Sequence, residues 1–494
     1  MQLRTLFQSF VKKFVLCKNT GQCLNPGASM SKKKTLTGES FDLAEKKMED
    51  WMLNHPKEII KERTEFLEKL NKKRCSYGEN TTLPISLVPV FLKDSSVKLI
   101  ADVGETLDRA LDKVINAYIA GDQNVREYFP YPDIPEEWIK WDPGYKKPTV
   151  INRHDALFDG ETLKFIEFNT DMPGARGWIG VYEQLFSQQS YCKELIETYA
   201  NPQRPNTLKM FLDSMLNCYR EAGGKKKNPR IGICSFKSYL VGSDAEIVRD
   251  YMIEQGFEAN YLDPRELEYR NDGLYSNNIQ FDLINLAIRF LFYKRYPREL
   301  KDFLAAIKNK AVIPVNPFRA IIGAHKEVMA LMTNDDFSYL FTKEESDCIA
   351  KHVPWTRKLD ETITLSPEGC DISLHDYLMS NKKTMVIKPT GGAGGQDVYV
   401  GAHTDDAKWQ TVVDQCMGCS WWIAQEAFEV PEHDFLTLSE GKVIKEKRNL
   451  NLNPYIFNGK YAGTLGRASR SKVVNVSSGG GGLIPIFPLK PGVE

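Results

Sequence analysis

Apolar residues recur three and four positions apart between Ser40 and about Tyr128, with Leu99, Val103, Leu107, Leu111, Val114 and Ile115 as the clearest stripe. This spacing predicts a mainly helical N-terminal part. A Pro- and Trp-rich stretch from Pro130 to Pro148 reads as irregular. The period then shortens to two. In Phe165-Ile166-Glu167-Phe168-Asn169-Thr170-Asp171, alternation sends Ile166 and Phe168 into a core and Glu167 and Asn169 to the other face. Leu157 to Glu161 carries an Asp159-Gly160 hairpin signal that joins this strand to the one holding Arg153-His154-Asp155. A two-residue turn would set Arg153 and Asp155 opposite Glu167 and Asn169. A three-residue loop with Gly160 left-handed puts all four on one face, and a metal site on this hairpin needs that loop. Gly174 to Tyr199 reads as loop, then helix.

Gly223 to Pro229 reads as a lysine-rich linker. Beyond it, short apolar runs at Arg230–Cys234, Gly256–Tyr261, Phe281–Leu286 and Ala311–Val315, with helical residues Asp244–Gln255 between the first two, predict a small parallel α/β unit over about 228–318. No glycine fingerprint follows its first strand, so dinucleotide binding is not expected. From 319 to 494 helices and strands alternate amid more glycine. The expected division is a basic, disordered tail (1–39), a helical region with the hairpin (40–227), the small α/β unit (228–318) and a lysine and glycine-loop region (319–494).

Composition narrows this picture without redirecting it. The 494 residues, 42% apolar and 11% aromatic, suffice for several globular cores. Lys+Arg and Asp+Glu both total 65, which argues against a general nucleic-acid or membrane-coating role. No apolar run approaches the roughly 20 residues that span a bilayer, so no stable membrane insertion is expected. The first 38 residues hold seven Lys or Arg and no acid. They read as a disordered tail, with an organelle transit peptide or a membrane-surface helix as alternatives. The ten cysteines lack a framework spacing, and Cys416 and Cys419 form the one close pair. That usage suits reduced core residues and a cytoplasmic protein.

Candidate chemistry sits at both ends of the 130–485 stretch. Glu167, Asn169 and Asp155 are oxygen donors of the kind magnesium takes, although a solvated surface hairpin would carry the same residues. The strand Met385–Pro389 runs into Thr390-Gly391-Gly392-Ala393-Gly394-Gly395-Gln396-Asp397 and a second strand, Val398–Gly401. Such a turn lets backbone amides approach phosphate, and Lys388 just before it supplies a point charge. It is not a Walker loop, because no Gly-Lys-Ser/Thr follows. Ile322 to Met332 reads as one helix carrying Lys326, a second candidate phosphate cation or a solvated lysine. Trp421–Phe428 reads as a strand with Gln425 and Glu426 near its end, either an adenine slot or a core strand with a polar end. Arg467 follows what reads as a glycine turn, from which it could reach a terminal phosphate. Asn475 and Ser477 precede four glycines, Gly479 to Gly482. Arg176 suits either a second carboxylate or a surface salt bridge.

Taken in order, these motifs resemble a circularly permuted ATP-grasp family, the glutathionylspermidine synthetase-like group. There the Glu-x-Asn metal motif, preceded by Arg-x-Asp, lies before the lysines. Here it is Arg153-x-Asp155 and Glu167-Phe168-Asn169-Thr170-Asp171-Met172-Pro173, with Met172 as a substitution. The resemblance implies an ATP-grasp-type α/β (α+β) fold in permuted order, with a pre-ATP-grasp-like unit and a helical N-terminal part. It implies Asp155, Glu167 and Asn169 as magnesium ligands and Arg153 as the cation on an acyl phosphate. Lys326 and Lys388 would meet nucleotide phosphates, Gly391, Gly392, Gly394 and Gly395 would form the lid loop, and Gln425 and Glu426 the adenine hinge. Arg467 falls in the stretch that resembles the group's Gly-Gly-Leu-Thr-Arg motif. Asn453 stands where that group commonly has an arginine.

The implied cofactors are ATP and Mg2+. The implied activity is an ADP-forming ligase that joins a small-molecule or peptide carboxylate to an amine through an acyl phosphate, with no nucleic-acid partner. Two alternatives stay open: a catalytically degenerate nucleotide-binding partner or sensor, and a small-molecule phosphotransferase using the same site. No amidase domain with a catalytic Cys and His is evident.

Overall fold

A computed structural model describes residues 39–77, 81–82, 86–129, 134–237, 242–392, 395–439, 441–471 and 481–493. The basic tail, Gly394, Asn475, Ser477, Gly479 and Gly480 lie outside them. The N-terminal part is helical, as its spacing demands. Helices Glu39–Asn54, Pro56–Lys72, Asp94–Ala120 and Gln123–Tyr128 account for most of it. The longest, Asp94–Ala120, buries Val103, Leu107, Leu111, Val114 and Ile115, and lies on the large sheet. It comes close because position 104 is glycine: a Cβ there would stand 2.9 Å from Ile456 Cδ1.

The large sheet is mixed. Its order is Val90–Leu92, Gly481–Pro488, Lys460–Ser469, Lys442–Phe457, Ile151–Phe158, Leu163–Asn169, with Glu432–Ser439 also paired to Lys442–Phe457. Val90–Leu92 pairs in parallel and the other neighbours are antiparallel. A second sheet is parallel throughout, in the order Ile313–Val315, Leu283–Leu286, Ile231–Cys234, Ala259–Leu262. A third, antiparallel, holds Thr356–Lys358, Trp422–Glu426, Met385–Pro389 and Tyr399–Val400. It has its own hydrophobic cluster around Trp409, Leu374, Leu378 and Ile387, separate from the main core.

Asn316 fastens the parallel sheet to the hairpin. Its Oδ1 accepts from the backbone of Val150 at 3.0 Å and Ile151 at 2.8 Å, and its Nδ2 donates to the carbonyls of Ile151 at 2.7 Å and Thr170 at 2.6 Å. Both ends of the hairpin are thereby held by one buried carboxamide, and the site residues between them inherit that fixed position.

The structure corrects several sequence expectations. The hairpin loop has four residues, because Phe158 pairs with Leu163. An unbroken ladder from that loop would pair Asp155 with Ile166 and put Glu167 on the opposite face. A β-bulge prevents this: Ala156 pairs with Phe165 and Asp155 with Glu167, leaving Ile166 as the extra residue. The core side chains are therefore Phe165 and Phe168, which stack on one side, and Ile166 is only half-buried. Gly160 is left-handed as expected, at φ +97°. The helix expected through Lys326 breaks into Ile321–Ala324 and Glu327–Met332, because His325 is extended. Arg467 follows no glycine turn and lies inside the strand Lys460–Ser469, beyond the turn at Asn458-Gly459. The Pro130–Pro148 stretch contains a short helix, Glu136–Lys140, and two helices, Arg176–Phe186 and Ser190–Tyr199, follow the hairpin.

Candidate functional site

With the bulge in place, Arg153 pairs across the hairpin with Asn169, and Asp155 with Glu167, so all four share one face. His154 and Phe168 share the other, with rings 4.9 Å apart. The carbonyl of Ile166, on the edge strand Leu163–Asn169, takes its bond from outside the sheet. Lys388, from the third sheet, donates to it at 2.8 Å and to Gln425 Oε1 at 2.8 Å. Gln425 is in turn held by Thr356 Oγ1, to which its Nε2 donates at 3.0 Å.

Lys326 stands on the other side of Glu167. Its Nζ lies 3.1 Å from Glu167 Oε1 and donates to the Gly392 carbonyl at 2.7 Å. The break in the helix aims it there, because the Lys326 backbone N–H bonds the Thr390 carbonyl at 3.0 Å instead of continuing a helical ladder. Arg289 completes the ring, with Nε 3.6 Å from Asp171 Oδ2 and Nη2 donating to the Gly391 carbonyl at 3.4 Å. The start of the glycine loop therefore turns carbonyls, not amides, toward these cations.

The electrostatics follow from crowding and burial. Burial pushes the Lys388 ammonium down to about 7, helped by the neighbouring charge of Lys326, while Glu167 and Asp155 pull it back up. Burial alone would raise the Glu167 carboxyl, but Lys326 and Lys388, with Arg289 beyond, hold it below the usual carboxylate range. Asp155 Oδ1 accepts from Asn169 Nδ2 at 3.2 Å, and its Oδ2 pairs with Arg467. Arg153 donates to the Gly174 carbonyl at 3.0 Å, beside the Tyr455 hydroxyl, which bonds the same oxygen at 2.9 Å.

Most sequence-identified residues thus converge. Arg153, Asp155, Glu167, Asn169, Lys326, Lys388, Gln425 and Arg467, with Gly391 and Gly392, meet at one face of the hairpin. Gly395, left-handed at φ +72°, is exposed farther along the loop. Glu426 is exposed at the strand end, and its backbone N–H bonds the Trp355 carbonyl at 2.8 Å. Asn453 sits beside Arg467 and accepts from it. Arg176 is not on the surface. It is 1% exposed, donates to Asn285 Oδ1 at 3.0 Å, and lies 3.7 Å from Asp244. Sequence reasoning missed Arg289 and Asn451. The signal for Arg289 was a single charge inside the apolar run Leu283 to Phe292.

The donor chemistry fits a hard divalent cation. Two carboxylates and a carboxamide lie on adjacent pairs of one sheet face, and both acids are already balanced by cations. Among the described residues no group of three or more His, Cys, Asp or Glu is arranged for a metal.

No known family profile matches this chain, and no curated protein matches it. Solved structures do. A glutathione synthetase-like effector from Globodera pallida, in its apo form, superposes at a TM-score of 0.58 with 11% identity, over 88% of this chain and 97% of that one. A chain from Methylobacillus flagellatus, named only provisionally as a gamma-glutamylcysteine synthetase, gives a TM-score of 0.40 at 11% identity, over 77% and 87%. The first likeness establishes a shared fold: this mixed α and β chain, with its several sheets, has the architecture of a glutathione synthetase-like protein.

Proposed function

We propose that the chain is an ATP-dependent, ADP-forming ligase that joins a carboxylate to an amine, with the segments of an ATP-grasp core in permuted order. One observation carries this reading. Arg153, Arg289, Lys326, Lys388 and Arg467, from widely separated stretches of chain, surround Asp155 and Glu167 on one sheet face. So many cations around two acids suit a polyanion with a metal. The shared fold supports the same reading.

In this reading Lys326 and Lys388 hold phosphate oxygens. Lys388 is pushed toward neutrality by burial, and incoming phosphate charge would restore its proton. Asp155, Glu167 and Asn169 would hold magnesium, which when bound neutralises phosphate charge. The substrate carboxylate attacks the γ-phosphorus and ADP leaves. The amine then attacks the acyl carbon and phosphate leaves, giving the amide. Arg153 faces the charge that develops between these steps. The Gly391–Gly392 turn, tied to Lys326 and Arg289, would exclude water from the acyl phosphate.

The test is ADP release with a panel of acids and amines. Loss of a charge-stabilising group costs about 10²–10³ in kcat, so Glu167→Ala and Asn169→Ala should each lose ADP release by about that factor while keeping the wild-type circular dichroism. Full activity in both variants would refute the site. The pairing of Arg467 with Asp155 also suits a nucleotide-binding protein without ligase activity. In that case the wild type would bind nucleotide and release no ADP with any pair. Phosphorylated product without amide would instead indicate a phosphotransferase.

A further inference from the structure

Arg467 is held more firmly than a phosphate-seeking cation needs to be. It lies opposite Asn451 on the neighbouring strand. Its Nε donates to Asn451 Oδ1 at 2.9 Å, and its Nη2 donates to Asn453 Oδ1 and to Asp155 Oδ2. Asn453 is itself fixed, since its Nδ2 donates to Asn451 Oδ1 at 2.7 Å and to the Leu465 carbonyl at 3.0 Å. Asn451 and Asn453 are 3% and 0% exposed. A planar guanidinium gripped from three directions loses little freedom on staying there. Lys326 differs: its single ammonium is shared between Glu167 and a glycine-loop carbonyl, on a flexible stem.

The consequence falls on Asp155. One of its oxygens is paired with Arg467 and the other accepts from the Asn169 amide, so a metal at Asp155 would share the carboxylate with a fixed guanidinium charge. We propose that Arg467 is a tethered cation that competes with a divalent metal for Asp155, and that the Asn451–Asn453 clamp sets the strength of that competition. This rests on the reading of Asp155, Glu167 and Asn169 as metal ligands. Phosphate oxygens offer a guanidinium a bidentate partner. Nucleotide would therefore draw Arg467 off Asp155 and admit the metal with it, so that metal and nucleotide load together and metal alone binds poorly.

The experiment measures Mn2+ binding to the full chain without nucleotide, by the electron paramagnetic resonance of free Mn2+, with circular dichroism as a check on folding. Arg467→Gln should tighten Mn2+ binding about tenfold or more, a difference of about 1.4 kcal/mol per tenfold. Asn453→Ala keeps the cation but loosens its clamp, and should tighten binding by less. It also serves if Arg467→Gln fails to fold. Adding Asp155→Asn to either variant should abolish the gain. If Asp155→Asn weakens Mn2+ binding in the wild type but neither Arg467→Gln nor Asn453→Ala strengthens it, the metal site stands and the tether is refuted. If Mn2+ binding in every background ignores both Asp155→Asn and Glu167→Gln, the metal reading fails and takes the tether with it.

Discussion

Replacing Asp112 by Asn isolates the cost of one buried carboxylate. Beneath the large sheet, Lys147 pairs with both Asp108, at 2.7 Å, and Asp112, so two acids share one ammonium. Thr149 Oγ1 donates to Asp112 Oδ1 at 3.0 Å, and Asn152 Nδ2 donates to Asp108 and to Thr149 Oγ1. Burial pushes the Asp112 carboxyl up to about 7, the charge of Asp108 adds to the push, and Lys147 opposes it. Asp108 goes the other way: burial would raise it, but Lys147 and His154 hold it below its ordinary value. The shared lysine thus keeps one acid charged at the expense of the other.

The sign follows directly. Between the ordinary 3.8 and about 7, native Asp112 keeps a proton that the unfolded chain has released, so stability falls as pH rises through that window. At about 1.36 kcal/mol per pKa unit the gap is worth at most about 4 kcal/mol. Asp112 is 19% exposed, so water takes part of this, leaving about 2–3 kcal/mol. The introduced carboxamide oxygen can still accept from Lys147, while its NH2 turned toward Thr149 reverses that bond and costs the threonine hydroxyl its acceptor, which offsets part of the gain. Urea unfolding of both proteins from about pH 4 to about pH 8 reads the effect. Asp112→Asn should gain on the wild type steadily through the window and keep that gain above about pH 7, and other titrations are common to both proteins. Parallel curves, or a wild type that gains on the variant as pH rises, would refute the assignment of the buried charge.

Other outcomes follow from the same geometry. Asn316→Ala strips partners from two N–H groups and two carbonyls at once. With four buried orphans at about 1 kcal/mol or more each, it should cost at least about 4 kcal/mol in urea unfolding, and a loss under about 1 kcal/mol would mean that the clamp is not needed. Trp409→Ala removes a fully buried ring from the cluster of the third sheet. It should cost about 3–5 kcal/mol, and hydrogen exchange should rise in 355–424 before it rises in Asp94–Ala120; uniform acceleration across both would deny the two clusters separate stability.

How much of this was legible in the sequence depended on whether the signal was local. The parallel sheet was readable because each strand is a short apolar run between turn residues, and the helix Asp94–Ala120 because its stripe is long and regular. Glu167 and Asn169 were correctly given one face, since alternation holds from residue 167 onward. The reading failed at Ile166, because a bulge is a property of two strands and a loop together. Neither strand's period reveals an extra residue opposite Asp155. The Lys326 break was hidden for a similar reason: Thr390, far along the chain, supplies the carbonyl that replaces a helical bond. Arg467 was misplaced because Gly463 and Gly466 read as a turn. Yet Gly466 is a packing glycine inside a strand, where a Cβ would meet Ile486 Cδ1 at 2.8 Å.

The charge balance at the hairpin face explains why these distant parts belong together. Arg153, Arg289, Lys326, Lys388 and Arg467 face Asp155, Glu167 and Asp171, and burial presses Lys388 toward its neutral form. Five cations against three acids would disfavour a lone divalent metal on the proposed reading, since a metal at Asp155 or Glu167 would share the carboxylate with a cation already paired to it. A polyphosphate reverses both terms: it gives Lys326 and Arg467 better partners than the carboxylates, and it restores the charge that burial strips from Lys388. On the proposed reading, the arrangement that would disfavour a lone metal would admit it together with the anion. The edge strand contributes to this balance too, because its Ile166 carbonyl anchors the lysine that burial pushes toward neutrality.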